Sequence, residues 1–131
     1  PEAAFSALGF VQAPKTRAAL LIWTALKVAL GQAAVAAEAA ELWVLDHPKD
    51  ASMWQQLATA RFAQGRPVAA VRAEAEVNVA HLDYASAITR LKAAQELVRN
   101  GNQPPDYIEA SIVDVRLRQI EQLLREQVVE R

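Results

Sequence analysis

The chain has 131 residues, of which 53% are hydrophobic and 22% charged, so it is long enough for one globular domain with a buried core. Fourteen basic and fifteen acidic side chains leave a formal charge of −1, which gives no electrostatic reason to expect nucleic acid or an anionic membrane as the main partner. The absence of cysteine excludes disulfides, thiolate catalysis and thiol-ligated zinc.

The first ten residues, PEAAFSALGF, contain neither an initiator methionine nor a basic segment before an apolar run. We therefore expect a fragment or a processed chain, with any targeting segment outside this sequence. A first helix is predicted over residues 2–12.

Residues 18–37, AALLIWTALKVALGQAAVAA, form a long apolar stretch. Lys27 lies at its centre, where a lysine costs about 2.5–3.5 kcal/mol in a bilayer, and Gly31 and Gln32 follow. The stretch is therefore predicted to belong to two core helices, over 15–30 and 32–46, and not to span a membrane.

An internal repeat begins in the same region. Gly31 and Gly65 lie 34 residues apart, each inside a helical pattern. The same offset superposes four further pairs, which are Lys27 on Arg61, Ala36 on Ala70, Ala39 on Ala73 and His47 on His81. A period of 34 with two helices per unit is that of the tetratricopeptide repeat. Its W-x2-L-[GA]…G…A pattern is similar to the residues Trp54, Leu57, Ala58, Gly65 and Ala70.

The preceding unit matches the same pattern more loosely. Gly31, Ala36 and Pro48 are in place, whereas Lys27 and Arg61 stand where the pattern has an aromatic residue. The predicted repeat units are residues 17–50 and 51–84.

The second half of the chain is predicted to form four helices, over 51–64, 67–82, 84–100 and 105–129. Asp50 and Asp83 are predicted N-caps, because an aspartate oxygen accepts a hydrogen bond from a free amide of the first turn. Left-handed glycines after a last turn are predicted at Gly31, Gly65 and Gly101. The loop GNQPPD separates the repeats from the final helix, which is predicted to cap them.

Residues 71–79 alternate apolar and polar side chains, which is the period of a half-buried strand. Alanine and glutamate are poor strand residues, and on a helix the same segment has two apolar stripes on nearly opposite sides. The stripes are Val68, Val71, Ala75, Val79 and Leu82, and Ala69, Ala70, Ala73, Val77 and Ala80. Such a helix closes one repeat and opens the next, so residues 67–100 are predicted to form an overlapping half-repeat pair.

No catalytic, metal-binding or cofactor-binding residue is predicted in this chain. His47 and His81 occupy equivalent repeat positions, which lie about 10 Å apart or more and are too distant to share a metal ion. Glu74 and Glu76 point to different sides of a helix and do not form an acid–base pair. Both histidines are interpreted as polar residues near helix ends, with a pH-sensitive contact as the alternative.

The three tryptophans and the last helix are the remaining large apolar features. Trp23, Trp43 and Trp54 are predicted to anchor the core or the contact between repeats, and exposure in a peptide groove is the alternative. The last helix carries one broad apolar face, formed by Ile108, Ile112, Val115, Ile120, Leu124 and Val128. A homodimer formed through this helix is the alternative to a cap.

The chain from about residue 54 to residue 126 resembles the C-terminal tetratricopeptide region of periplasmic zinc metallopeptidases, the group that includes the β-barrel assembly-enhancing protease. The resemblance is carried by AQGRPVAAVRAEAE, LDYASAITRLKAAQELV and ASIVDVRLRQIEQLLRE. In the last segment the residues that match are Asp114, Arg116, Leu117 and Glu121. The family often has Gly-Asp at the turn where this chain has Leu82 and Asp83.

The resemblance implies a parent protein with an upstream HExxH domain that binds zinc and acts in periplasmic quality control of outer-membrane proteins. None of the HExxH residues is present here, so the zinc would belong to the parent's catalytic domain. The role implied for this chain is to hold protein or peptide segments, such as outer-membrane proteins, or to pack against the parent's own protease domain.

The sequence thus predicts an all-α, tetratricopeptide-like array of about seven helices, forming a right-handed superhelix with a long C-terminal capping helix. Its predicted function is protein–protein recognition. The candidate surface comprises Lys27, Gln56, Arg61, Glu74, Asn78 and His81. The alternatives are a homo-oligomerising helical domain, a repeat scaffold unrelated to a protease, and a helical domain that binds a small molecule beneath the tryptophans.

Overall fold

The computed structural model describes residues 13–101 and 106–130. These residues form six helices: α1 (Arg17–Ala29), α2 (Ala33–Asp46), α3 (Ala51–Ala63), α4 (Pro67–Ala80), α5 (Tyr84–Asn100) and α6 (Tyr107–Glu130). The predicted all-α class is confirmed, and the described residues contain no strand. Six of the predicted helices agree with the observed ones to within two residues at each end, and the predicted helix over 2–12 lies outside the described residues.

The predicted N-caps are confirmed. The carboxylates of Asp50 and Asp83 accept hydrogen bonds from the backbone amides of Met53 and Ser86, both at 3.2 Å. A third cap lies at Asp106, whose carboxylate accepts from the backbone amide of Glu109 at 3.0 Å. Each cap satisfies a donor that the helix itself leaves free, which fixes where α3, α5 and α6 begin.

Two of the three predicted left-handed glycines are confirmed. Gly31 and Gly65 have φ values of 77° and 71° after the last turns of α1 and α3. Gly101 is a correction, because its φ of −73° and ψ of 145° are extended. A Cβ at Gly101 would lie 2.8 Å from the carbonyl oxygen of Leu97, so close backbone approach explains this glycine. The third left-handed residue is Leu82 instead, with φ of 61°.

The helices pack as an array in which each one contacts the next. Two further contacts skip a helix: α1 meets α3, and α4 meets α6. Among the described helices, α3 does not contact α5. The two contacts that skip a helix therefore lie in different parts of the array: α1 with α3 before α4, and α4 with α6 from α4 onward. Among the described residues, no helix combines the length and apolar character needed to cross a membrane.

Two clusters of buried side chains form the core, and α4 contributes to both. Ala73 belongs to the first cluster, with residues of α1, α2 and α3. Ala75 belongs to the second, with residues of α5 and α6 such as Leu91 and Ile120. The alternation of residues 71–79 therefore reflects a helix that buries two sides, and Ala73 and Ala75 lie on different ones.

Buried ion pairs attach α6 to α4. Arg116 donates two hydrogen bonds to the carboxylate of Glu76, at 2.6 and 2.8 Å, and the Glu76 side chain is only 7% exposed. Arg72 of α4 pairs with Glu109 of α6 through a single hydrogen bond from its Nε. The bidentate geometry of the Arg116–Glu76 pair compensates the desolvation of its two charges. Together the two ion pairs fix the position of the final helix along α4.

Candidate protein-interaction surface

The described residues, 13–101 and 106–130, contain no group of three or more His, Asp or Glu side chains placed to hold a metal ion. His47 stacks on the ring of Trp43, with centroids 4.1 Å apart, and its Nδ1 lies 3.1 Å from the Trp43 carbonyl oxygen. His81 lies exposed after the last turn of α4. Each histidine therefore has its own local environment at a helix end.

Arg61, one of the six candidate surface residues, is buried. It is 9% exposed, and it donates to Glu41 of α2 at 2.8 Å and to Gln64 at 3.0 Å. A buried guanidinium needs an acidic partner, and Glu41 supplies it. Arg61 therefore joins α3 to α2 and does not contribute an exposed charge.

The side chains of Glu74 and Asn78 both contact the same arginine of α5. Arg90 donates to the Asn78 side-chain oxygen at 2.8 Å, and its Nη1 lies 3.3 Å from a Glu74 carboxylate oxygen. These two residues are half-buried, whereas His81 beyond them is exposed. The predicted polar strip is thus mainly a contact between α4 and α5.

The remaining two candidates, Lys27 and Gln56, are half-buried on α1 and α3. The Lys27 ammonium lies 5.4 Å from the centre of the Trp23 ring, which is a cation–π contact. Among the six, side-chain contacts of the described residues bring together Glu74 and Asn78 through Arg90, and the backbone amide of His81 donates to the Asn78 carbonyl at 3.1 Å. The candidate residues do not form one continuous polar surface.

A different row of side chains is exposed on α3. We name Ser52, Gln55, Thr59 and Phe62 the α3 face; their spacing of three and four residues places them on one side of the helix. The other sides of α3 meet α1, α2 and α4. Phe62 is 48% exposed, although a phenylalanine is usually buried. The spacing of three and four residues between these side chains is the feature of the sequence that marks this row.

Beside the first residue of α3 lies an open groove of about 680 Å³ at the α2–α3 connection. Asp50 lines this groove, and its carboxylate accepts hydrogen bonds from the Arg17 guanidinium at 2.7 and 3.0 Å and from the indole of Trp43 at 2.9 Å. These donors, with Arg17 the largest contributor, lower the pKa of Asp50 to about 2. The indole of Trp54 donates to the Pro48 carbonyl at 2.8 Å and holds the same connection from the other side.

The tryptophans therefore act at this connection as well as in the core. All three pack, partly buried, against the first core cluster. The groove beside Trp43 is open to solvent, and its carboxylate is already bound by residues of the chain itself. It is better suited to holding α1, α2 and α3 together than to enclosing a small molecule.

Large apolar side chains are exposed in two further rows. We name Ile22, Leu26 and Leu30 the α1 stripe; they are 71%, 53% and 61% exposed. We name Ile108, Ile112 and Val115 the α6 stripe; they are 77%, 40% and 45% exposed. Each row lies on one side of its helix by its spacing, and such rows are typical of surfaces that contact other protein segments.

No protein-family model, curated protein or solved structure matches the chain.

Proposed function

We propose that this chain is a non-catalytic protein–protein interaction module that binds extended peptide segments along the α3 face. The observation that carries the proposal is the half-exposed Phe62 in a row with three hydrogen-bonding side chains. An exposed aromatic ring offers a partner a large apolar contact, and aromatic residues are enriched where proteins bind one another.

The chemistry of the α3 face favours a partner of mixed polarity. The side chains of Ser52 and Gln55 offer uncharged donors and acceptors, and Phe62 offers apolar area. The Thr59 hydroxyl donates to the Gln55 carbonyl at 3.0 Å and offers its oxygen as an acceptor. A peptide that alternates apolar and polar residues satisfies both, because alternate side chains meet the ring while its backbone meets the polar groups. Strands of outer-membrane β-barrels have this alternation, which supports unfolded outer-membrane proteins as the partner class.

The resemblance to zinc metallopeptidases supports a larger proposal. We place the chain in the C-terminal region of a periplasmic zinc-dependent protease, where it would present substrates to the catalytic domain. Two of the matching residues have clear structural roles here: Arg116 pairs with Glu76, and Leu117 is buried in the second core cluster. A full gene product with an upstream HExxH helix and a signal peptide supports this assignment, and one with neither overturns it.

The binding proposal is tested with the full gene product and an array of peptides taken from outer-membrane β-strands. Phe62→Ser is expected to lose most of the signal, because it removes the apolar anchor from the α3 face. Leu97→Ser is the matched control, since Leu97 is 39% exposed on α5. Equal binding by the two variants and the unchanged protein overturns the proposal.

A homodimer is the second candidate function, and the α6 stripe is the observation that favours it. A helix exposing Ile108, Ile112 and Val115 can pair with its copy around a two-fold axis. Sedimentation at several protein concentrations tests this: Ile112→Glu should convert a dimer into a folded monomer. A monomer at all concentrations before substitution removes this candidate.

A further inference from the structure

The α3 face continues, at its first residue, into the groove at the α2–α3 connection. Ser52 belongs to the α3 face and also lines the groove, together with Arg17, Lys49 and Asp50. A peptide that lies along the α3 face and extends beyond Ser52 therefore enters this groove. The charges of the groove then affect which peptides bind.

The charge of Asp50 is already compensated within the groove. Its carboxylate accepts two hydrogen bonds from the Arg17 guanidinium, one from the Trp43 indole and one from the backbone amide of Met53. Because the pair with Arg17 is bidentate, each of the two groups neutralises the other. Neither offers an uncompensated charge to a peptide.

Lys49 is the basic side chain of the groove that lacks such a partner. It is exposed between α2 and α3, and within residues 13–101 and 106–130 it forms no ion pair. Since Arg17 and Asp50 cancel, Lys49 leaves the described lining of the groove with one positive charge in excess, when His47 is counted as neutral. An acidic side chain complements this charge, and a basic one is repelled by it.

The length of α3 sets the distance between the groove and Phe62. Ser52 and Phe62 are ten positions apart, which corresponds to roughly 15 Å along the helix axis. An extended peptide turns alternate side chains to the same side, so the fourth residue from the one on Phe62 faces α3 again, about 13 Å away. The flexible stem of Lys49 covers the short remaining distance.

We propose that the groove binds an acidic side chain of the peptide held by the α3 face, about four residues from the apolar side chain that contacts Phe62. Lys49 pairs with this carboxylate, and the Ser52 hydroxyl offers it a hydrogen bond. The inference rests on the proposed function, since it concerns the same peptide. It adds the charge and the spacing that distinguish good partners from poor ones.

Two peptides of identical composition test the charge and the spacing with the full gene product. Both alternate apolar and uncharged polar residues around a central leucine. The first has glutamate four positions to either side of the leucine and glutamine three positions to either side, and the second exchanges them. Glutamates on both sides make the test independent of the direction in which the peptide lies. In the second peptide the glutamates face away from α3.

Fluorescence anisotropy of the labelled peptides measures the difference. The first peptide is expected to bind about two- to fivefold more tightly, a factor typical of one exposed ion pair. The preference should disappear in about 1 M NaCl, where the Debye length is about 3 Å. A preference that is unchanged in high salt contradicts an ionic contact.

Lys49→Gln should remove the preference between the two peptides. Lys92→Gln is the matched control, because Lys92 is an equally exposed lysine on α5, which does not contact α3 within the described part of the chain. Both substitutions lie on the surface, and circular dichroism confirms that the variants are folded. The control should bind the two peptides as the unchanged protein does.

The outcomes separate this inference from the proposed function. A preference that is lost in Lys49→Gln and kept in Lys92→Gln supports the acidic site. Equal binding of both peptides by the unchanged protein, with both weakened by Phe62→Ser, overturns the acidic site and leaves the α3 face as the peptide surface. Binding that does not depend on Phe62, or no binding of either peptide, overturns the proposed function and this inference with it. A preference that persists in Lys49→Gln overturns the role of Lys49.

Discussion

At the scale of single residues, Asp50 is the side chain whose hydrogen bonds connect three helices. One carboxylate caps α3, pairs with Arg17 of α1 and accepts from Trp43 of α2. Three helices are therefore joined through one side chain that is 8% exposed. The short polar residue that predicts a helix start also fixes how that helix sits among its neighbours.

We predict that the stability contributed by Asp50 depends on pH. Its pKa is lowered from 3.8 to about 2 in the folded chain, so the contribution is complete above pH 4 and is lost as the pH falls through 2. Asp50→Asn should lower the unfolding free energy by about 1–2 kcal/mol at pH 7. The difference from the unchanged protein should narrow between pH 4 and pH 2 in urea titrations. A difference that stays constant over this range contradicts the assignment.

Leu82 is a residue in a conformation that favours glycine. Its φ is 61° and its side chain is 62% exposed, so it loses little burial if it is removed. Leu82→Gly is expected to raise the unfolding free energy by about 0.5–1 kcal/mol through relief of backbone strain. Leu82→Ala is the control, because it removes the side chain but keeps the strain. If alanine stabilises as much as glycine, the strain is not the cause.

At the scale of elements, α6 is positioned by charge as well as by apolar contact. Its buried residues Val113, Leu117 and Ile120 face the second core cluster, while Arg116 and Glu109 reach α4. The broad apolar face predicted for this helix is divided: Ile120 is buried, and the α6 stripe is exposed. The helix thus has one side bound to the array and another open to solvent.

Removing one partner of the buried pair between α4 and α6 should be costly. Glu76→Gln leaves the Arg116 guanidinium without its counter-charge, and the unfolding free energy should fall by about 2–4 kcal/mol in urea titrations. Glu96→Gln is the matched control, since Glu96 and its partner Arg99 are 57% and 66% exposed. The control should change the free energy by less than about 0.5 kcal/mol. Similar losses from both variants would show that burial does not determine the value of the pair.

The sequence predicts where these helices begin better than it predicts which of their polar side chains are buried or paired. Helix starts at Asp50 and Asp83 depend on neighbours a few residues away, so the pattern alone identifies them. The burial of Arg61 and the capture of Glu74 by Arg90 depend on other helices. The sequence of one helix does not show whether its charged side chains are exposed, because a neighbouring helix can supply the opposite charge.

At the scale of the whole molecule, α4 divides the array into two packed groups. Through Ala73 it joins the first core cluster and through Ala75 the second. The α1 and α6 stripes lie in different groups, and the α3 face belongs to the first. This arrangement separates three surfaces that can be tested independently.

The central claim is that the α3 face binds extended peptides. The most direct test is an NMR titration of the chain with a peptide from an outer-membrane β-strand that alternates apolar and polar residues. We expect the backbone amides of Gln55, Thr59 and Phe62 to shift most, because the peptide would lie along them. Shifts confined to the α1 or α6 stripe, or no shifts as the peptide reaches millimolar concentration, would contradict it.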